Sequence, residues 1–90
     1  MLDVVLSNHF KKDLKKLAGR GYDLDLLDEV VSKLAAEIPL DEKYRDHLLT
    51  GNYIGFRECH IKPDWLLIYK TNDKELFLFL SRTGSHSDLF

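Results

Sequence analysis

The sequence of 90 residues predicts an α+β fold in two layers, with its elements in the order β-α-α-β-β-β. Apolar residues recur at helical spacing in two segments of the first half. Short apolar runs separated by turn formers fill the second half, as in a sheet of hairpins. Hydrophobic residues make up 44% of the chain, which is enough for one compact core. We therefore expect residues 1–90 to form a single domain.

The first strand and the first helix are predicted over residues 2–20. Leu2–Leu6 is β-branched in its middle, as strands prefer, and Ser7 or Asn8 then offers an N-cap. The apolar stripe of the helix consists of Phe10, Leu14, Leu17 and Ala18. Four lysines lie off this stripe: Lys11, Lys12, Lys15 and Lys16. They form either a solvated face or a contact for nucleic acid or an acidic partner. Gly19 and Gly21 end the helix.

The second helix is predicted from Asp25 to Ile38, with Asp23 or Asp25 as its cap and Pro39 ending it. Its apolar positions are Leu27, Val30, Val31, Leu34 and Ile38. Its outward face carries Asp28, Glu29 and Glu37. Residues 21–42 hold seven acidic side chains and one basic one, so the acidic charge is concentrated here. Two helices joined by a short glycine turn form an α-hairpin.

Three strand-like runs follow a polar connection, Leu40–Asn52, in which His47 lies. The runs are Gly55–Ile61, Trp65–Thr71 and Glu75–Arg82. Residues 62–64 and 72–74 separate them with turn formers, which predicts antiparallel hairpins. The third run is apolar on both faces, which is typical of a central strand. Ser85 and Asp88 then have the spacing of a capping box for one terminal helical turn. We expect the helices to cover one sheet face and to leave the other free for chemistry.

Composition excludes several classes of protein. The longest unbroken apolar stretches are five residues, whereas a membrane helix needs about 20. The single cysteine, Cys59, excludes a disulfide framework and a cysteine-rich zinc site. No signal-peptide pattern follows Met1, so we expect a cytoplasmic protein without a membrane partner. The net charge of −2 does not exclude nucleic acid, because the rest of the chain is mildly basic.

Three of the four histidines, His47, His60 and His86, fall in the second half of the chain. Strand alternation places Glu58 and His60 on one side of their strand and Arg57, Cys59 and Ile61 on the other. A metal site is disfavoured because no two histidines have helical i, i+4 spacing. Cys59 fits a small buried hydrophobe better than a nucleophile. Acid–base cleavage of a phosphodiester fits best, because two imidazoles can move the protons and an arginine can hold the phosphate charge.

Three motifs occur in order over residues 43–90. They are D-H-x-L at 46–49, H-x-x-P-D-W-x-L-I-Y at 60–69 and R-T-G-x-H-x-x-L-F at 82–90. In these motifs the chain closely resembles the YafQ branch of the RelE superfamily of bacterial type II toxins. Over residues 1–42 the resemblance rests on the strand–helix–helix pattern.

The resemblance implies a microbial-ribonuclease-like fold and a ribosome-dependent mRNA endonuclease that a cognate, DinJ-like antitoxin neutralises. Its partners would be the ribosome, mRNA in the ribosomal A site and, through the antitoxin complex only, operator DNA. No metal or cofactor is implied. The catalytic set, carried over position by position, is His47, His60, Asp64, His86 and Phe90. Supporting or RNA-binding positions are Glu58, Arg82, Arg57, Lys62 and Trp65.

The chemistry suggests a role for each catalytic residue. His47 would be the general base and His86 the general acid, while His60 and Asp64 would orient or stabilise the phosphate. Phe90 would stack on a nucleobase. Trp65 is equally explained as a core anchor. Two other functions stay open: a ParE-like toxin that inhibits gyrase without cutting RNA, although such toxins lack the histidine set, and an inactive homologue that only binds its antitoxin.

Overall fold

The structure is a computed structural model and describes residues 1–90. Five strands form one sheet in the order β1-β5-β4-β3-β2. They are β1 (Asp3–Leu6), β2 (His47–Leu48), β3 (Arg57–Lys62), β4 (Trp65–Asn72) and β5 (Phe77–Gly84). β1 runs parallel to β5, and every other pair of neighbours is antiparallel. The predicted α+β fold with a mainly antiparallel sheet is confirmed, and β5 is an interior strand.

Three helices complete the fold: α1 (Asn8–Gly19), α2 (Leu24–Ala35) and α3 (His86–Leu89). The Ser7 hydroxyl caps α1 by accepting a hydrogen bond from the Phe10 N–H at 2.9 Å. The Asp23 carboxylate caps α2 by accepting from the Asp25 N–H at 3.1 Å. Between the two helices, Gly21 takes a φ of 79°, which glycine adopts without strain. No helix combines the length and the apolar character needed to cross a bilayer.

The prediction that α2 continues to Ile38 is wrong, because the helix ends at Ala35. The Glu37 N–H donates to the Leu34 carbonyl, and the Ile38 N–H donates to the Lys33 carbonyl at 2.9 Å. With Glu37 at a φ of 58°, this is a Schellman motif that closes the helix before Pro39 is reached. Ile38 is therefore 53% exposed instead of buried.

The connection after α2 contains more structure than the sequence predicts. Two 3₁₀ turns, Glu42–Tyr44 and Gly51–Tyr53, flank the two-residue strand β2. His47 therefore lies in an edge strand rather than in a loop. A strand of two residues has no alternation to detect, which is why the pattern missed it. The turn between β4 and β5 is also longer than expected. Leu76 takes a φ of 56°, and β5 starts only at Phe77 instead of at Glu75.

The main core lies between the helical hairpin and one face of the sheet. It contains Phe10, Leu17, Trp65, Leu67 and Tyr69 among its 15 buried residues. On α1, the predicted stripe residue Ala18 is exposed, and Asp13 is buried instead. β1 ends before Thr83, so the edge of β5 is open there. The Asp13 carboxylate fills this gap by accepting the Thr83 N–H at 3.1 Å.

The opposite face of the sheet is only partly free, which corrects the expectation. A second, smaller core covers its middle with Leu66, Ile68 and Leu89. Leu49, Tyr53 and Phe56 pack against this second core from the segment between β2 and β3. His60 lies on this face next to the β3–β4 turn.

Candidate active site

The register of the sheet brings three histidines together. His47 in β2 is paired with Glu58 in β3, and His60 follows Glu58 on the same face. His60 is paired with Leu66, which is paired with Gly84, and His86 begins just beyond it. The ring centroids are 6.3 Å apart for His47 and His60, and 5.9 Å apart for His60 and His86. We call these three side chains the histidine row.

His47 stands at the exposed end of the row. Its Nδ1 lies 2.7 Å from the backbone carbonyl oxygen of Arg45, a residue in the left-handed conformation with a φ of 51°. A carbonyl oxygen only accepts, so this contact places a hydrogen on Nδ1. Half of the His47 side chain is exposed, so its Nε2 is open to a substrate. The arrangement suits a general base.

His60 is the middle member of the row and lies beside the buried Glu58. The His60 Nε2 lies 3.3 Å from a Glu58 carboxylate oxygen, and the His60 Nδ1 lies 3.2 Å from the Pro63 carbonyl oxygen. Both ring nitrogens thus face acceptors, and only the doubly protonated ring offers a donor to each. The same Glu58 oxygen is 3.9 Å from the His47 Nε2. These contacts on both ring nitrogens fix the orientation of the His60 ring in the middle of the row.

His86 and Asp64 form an exposed pair at the start of α3. The Asp64 carboxylate accepts the backbone N–H of His86 at 3.0 Å and lies 2.7 Å from its Nδ1. These hydrogen bonds lower the pKa of Asp64, so its carboxylate stays ionised. Because Nδ1 lies on Asp64, the His86 Nε2 is directed away from this carboxylate, and more than half of the side chain is exposed.

The Arg82 guanidinium is paired with a carboxylate and is not free to act at the histidine row. It donates two hydrogen bonds to the Asp13 carboxylate, at 2.8 and 3.1 Å. The hydrogen bonds to Asp13 raise the pKa of Arg82 further. Asp13 was missed in the sequence because an acidic residue within an apolar stripe gives no periodic signal. Asp13 is buried because its carboxylate accepts the Thr83 N–H at the open edge of β5.

Two other candidate residues also lie away from the row. Arg57 points to the helical side of the sheet, as alternation predicts, and its Nε lies 3.2 Å from Asp46. Trp65 is 2% exposed in the main core, and its indole N–H donates to the Thr83 hydroxyl at 2.9 Å. Trp65 is thus a core anchor, the second of the two explanations its sequence position allows. It does not reach the surface to contact RNA.

Phe90 is 66% exposed beside the row and contacts a residue that the sequence did not indicate. Its ring centroid lies 5.8 Å from that of Tyr53, which lies 6.0 Å from that of Phe56. Both contacts are edge-to-face, a favourable geometry for aromatic rings. Leu89 anchors α3 in the second core, and this anchoring leaves the Phe90 ring at the surface.

Cys59 lies on the opposite face from the row and is fully buried. Burial raises the pKa of its thiol to about 12, and the carboxylates of Asp46 and Glu58 add to this effect. A thiol that does not ionise is a poor nucleophile. The geometry therefore agrees with a structural role for Cys59.

Comparison with known proteins gives one consistent family. The family model described as "Bacterial toxin of type II toxin-antitoxin system, YafQ" matches residues 2–90. The mRNA interferase toxin YafQ of Escherichia coli K12 is 39% identical over 89 residues, which cover 98% of this chain and 95% of that protein.

Solved structures agree in fold over their full length. A metal-bound toxin from Helicobacter pylori is 54% identical, with a TM-score of 0.94 and complete coverage of both chains. A YafQ chain from an E. coli DinJ–YafQ complex is 37% identical, with a TM-score of 0.91, covering 100% of this chain and 99% of that one.

The metal-bound relative makes a metal site worth testing here. No group of three or more His, Cys, Asp or Glu side chains is arranged to hold a metal ion in this structure. The nearest approach to such a group is Glu58, with one carboxylate oxygen 3.9 Å from the His47 Nε2 and 3.3 Å from the His60 Nε2. We assign no catalytic step to a metal.

The family match extends over nearly the whole chain, and the structural agreement covers both layers of the fold. The three motifs that carry the resemblance supply the histidine row itself. This chain therefore belongs to the YafQ family of bacterial toxins of type II toxin–antitoxin systems.

Proposed function

We propose that this protein cleaves mRNA on the ribosome by acid–base catalysis without a metal or cofactor. The observation that carries the proposal is the histidine row, whose two outer rings have different partners. The Nδ1 of His47 faces a neutral carbonyl, whereas the Nδ1 of His86 faces an ionised carboxylate. A neutral base and a charged acid are the two states that 2′-OH attack needs. The relatives named as mRNA interferases support this activity.

The reaction follows from these two states. The Nε2 of His47 takes the proton of the ribose 2′-OH, and the resulting oxygen attacks the adjacent phosphorus. The bond from phosphorus to the 5′ oxygen breaks, and the Nε2–H of His86 gives its proton to that leaving oxygen. The products are a 2′,3′-cyclic phosphate and a free 5′-OH.

His60 supplies charge rather than a proton in this scheme. The phosphorane that forms during attack carries additional negative charge, which a fixed cation stabilises. Glu58 keeps the His60 ring oriented through its contact at 3.3 Å. Phe90 would hold a base next to the scissile bond by stacking, which contributes about 1–3 kcal/mol per base.

The proposal includes a partner and a place of action. A DinJ-like antitoxin would neutralise the toxin, because a YafQ chain of the same fold is bound to DinJ in the E. coli complex. Ribosomes engaged on mRNA would be the site of action, which places the toxin in the cytoplasm.

The test adds purified protein to a translating extract and maps mRNA ends by primer extension, with ribosome-free RNA in EDTA as a control. Wild type should produce new ends, and His86→Gln should not. His9→Gln is the matched control, because His9 is an exposed histidine on α1 outside the row. Inhibition of DNA supercoiling without RNA cleavage would instead establish the gyrase-directed alternative. Cleavage by His86→Gln at the His9→Gln rate would contradict the mechanism.

A further inference from the structure

We propose that a cleft beside His60 binds the phosphates of an RNA backbone, an inference that rests on the proposed function. The cleft has a volume of about 460 Å³ and lies between residues 43–45 and the β3–β4 turn. Lys43, Arg45 and Lys62 line it together with His60. We call it the basic cleft. Of its three cations, only Lys62 was indicated by the sequence.

The charges of the basic cleft are not neutralised within the protein. Five lysine and arginine side chains form ion pairs with carboxylates: Lys16, Arg20, Lys33, Arg57 and Arg82. Lys43, Arg45 and Lys62 have no such partner, and all three are exposed. The one acidic residue that lines the cleft, Glu29, lies 3.9 Å from Lys33. Three uncompensated cations around one concavity attract a polyanion.

The basic cleft is continuous with the histidine row. His60 lines the cleft, and the backbone of Arg45 holds the His47 ring through the hydrogen bond of 2.7 Å. An RNA strand with its scissile phosphate at the row therefore places neighbouring phosphates at the cleft. This continuity favours RNA over an acidic peptide as the occupant. The phosphates belong either to mRNA or to ribosomal RNA, and the chemistry of recognition is the same for both.

The test removes the three charges together in the variant Lys43→Gln, Arg45→Asn, Lys62→Gln. Asparagine is chosen at position 45 because it tolerates the left-handed conformation found there. Binding is measured in a His86→Gln background by co-sedimentation with ribosomes over a series of KCl concentrations. Each lost phosphate contact reduces the salt slope by about 0.7–0.9, so we expect a slope shallower by about 2–3.

Two comparisons locate the effect. Lys74→Gln removes a cation from the β4–β5 turn and should leave both affinity and salt slope unchanged. Lys11→Gln, Lys12→Gln, Lys15→Gln removes three exposed cations from α1, and a larger slope change here than in the cleft variant would overturn the proposal. A wild-type slope in the cleft variant, with its melting temperature unchanged, would also overturn it.

Further arms identify the source of the phosphates. A loss of binding to empty and mRNA-programmed ribosomes alike assigns the cleft to ribosomal RNA. A loss confined to programmed ribosomes assigns it to mRNA, and unchanged binding to both with weaker antitoxin binding would replace RNA by an acidic protein segment. With catalysis restored, the cleft variant should raise KM and keep kcat. Because the binding assay needs no cleavage, an inactive wild type would refute the proposed function while the salt slopes still report on the cleft.

Discussion

The rings of His47 and His86 are held by different groups, a backbone carbonyl for His47 and a carboxylate for His86. If the two rings act as base and acid in one step, substitutions of both should not add in their effect on rate. Removing one member of an acid–base pair typically costs a factor of about 10²–10⁴ in rate. We expect His47→Gln and His86→Gln each to lose cleavage to this extent. The double variant should be little worse than either, because two groups that act in one step are not additive. Primer extension with rapid sampling measures the rates.

Melting temperature and antitoxin binding distinguish a loss of catalysis from a loss of folding in the His47 and His86 variants. His47 and His86 are both exposed, so both variants should melt within a few degrees of wild type. They should also still bind the antitoxin. A rate within about tenfold of wild type for His86→Gln would exclude it as the acid.

Cys59 provides a second prediction at the scale of a single residue. The thiol is fully buried and its pKa is raised to about 12, so the thiolate is scarce at mildly alkaline pH. We expect a thiol-specific chromogenic reagent to react with the protein only after it unfolds in guanidinium. Cys59→Ala should cleave mRNA at the wild-type rate. Fast labelling of the native protein would contradict the placement of this side chain.

At the scale of elements, α2 tests the two-layer packing. Leu34 is buried in the main core, whereas Asp28 is exposed on the outer face of the same helix. Leu34→Asp places an unpaired charge in the core and should prevent folding. Asp28→Lys should change the free energy of unfolding by no more than about 0.5 kcal/mol. Circular dichroism melts compare the two, and equal effects would refute the packing of α2 on the sheet.

The short helix α3 depends on Asp88. Its carboxylate accepts two hydrogen bonds from Arg20, at 2.8 and 3.2 Å, and one from the Ser85 N–H at 2.9 Å. These bonds, with Arg20 the strongest contributor, hold the pKa of Asp88 well below its ordinary range. Asp88 therefore stabilises the fold above an ordinary aspartate pKa of about 3.9, and this stability is lost as the pH falls through the lower, folded-state value.

Asp88→Asn should accordingly lower the melting temperature at neutral pH. The difference from wild type should shrink as the pH falls below about 4, because the Asp88 carboxylate of the unfolded chain is then protonated while that of the folded protein is still ionised. It should disappear only when the pH falls through the lower, folded-state pKa of Asp88. Cleavage should fall along with stability, since α3 carries His86. A difference in melting temperature that is the same at neutral and acidic pH would show that the Arg20 pair contributes nothing. Arg20→Gln removes the other member of this pair and should likewise lower the melting temperature at neutral pH.

Elements with local signals were predictable, and elements fixed by distant partners were not. The caps at Ser7 and Asp23 are short-range and were predicted with both helices. β2 exists because it pairs with β3, so nothing within its two residues indicates it. The histidines were found as residue types and through family motifs. Their actual partners, the Arg45 carbonyl and Glu58, follow from the register of the sheet, which the sequence leaves open.

At the scale of the whole molecule, the parallel pairing of β1 with β5 joins positions 74 residues apart in the chain. β5 is an interior strand that pairs with β1 on one side and with β4 on the other, so the sheet depends on it on both sides. We expect one cooperative unfolding transition, with equal calorimetric and van't Hoff enthalpies, as for a single domain. For 90 residues the enthalpy should be about 60 kcal/mol near 60 °C.

Two probes check this cooperativity. Trp65 is the single tryptophan and lies in the main core, so its fluorescence reports tertiary structure. Far-ultraviolet circular dichroism reports the helices, which lie in the first half of the chain and at its last turn. The two curves should coincide, and separate midpoints would mean that the helical hairpin unfolds independently of the sheet.

The same long-range pairing sets the order of events during synthesis. β1 leaves the ribosome first and stays without a sheet neighbour until β5 has been translated and has emerged from the exit tunnel. His86 follows β5 after one residue, so the last strand to be translated also brings the third member of the histidine row. A nascent chain that is still incomplete therefore lacks part of the row. The ribosome that makes this protein is thus not exposed to a complete histidine row until the sheet closes.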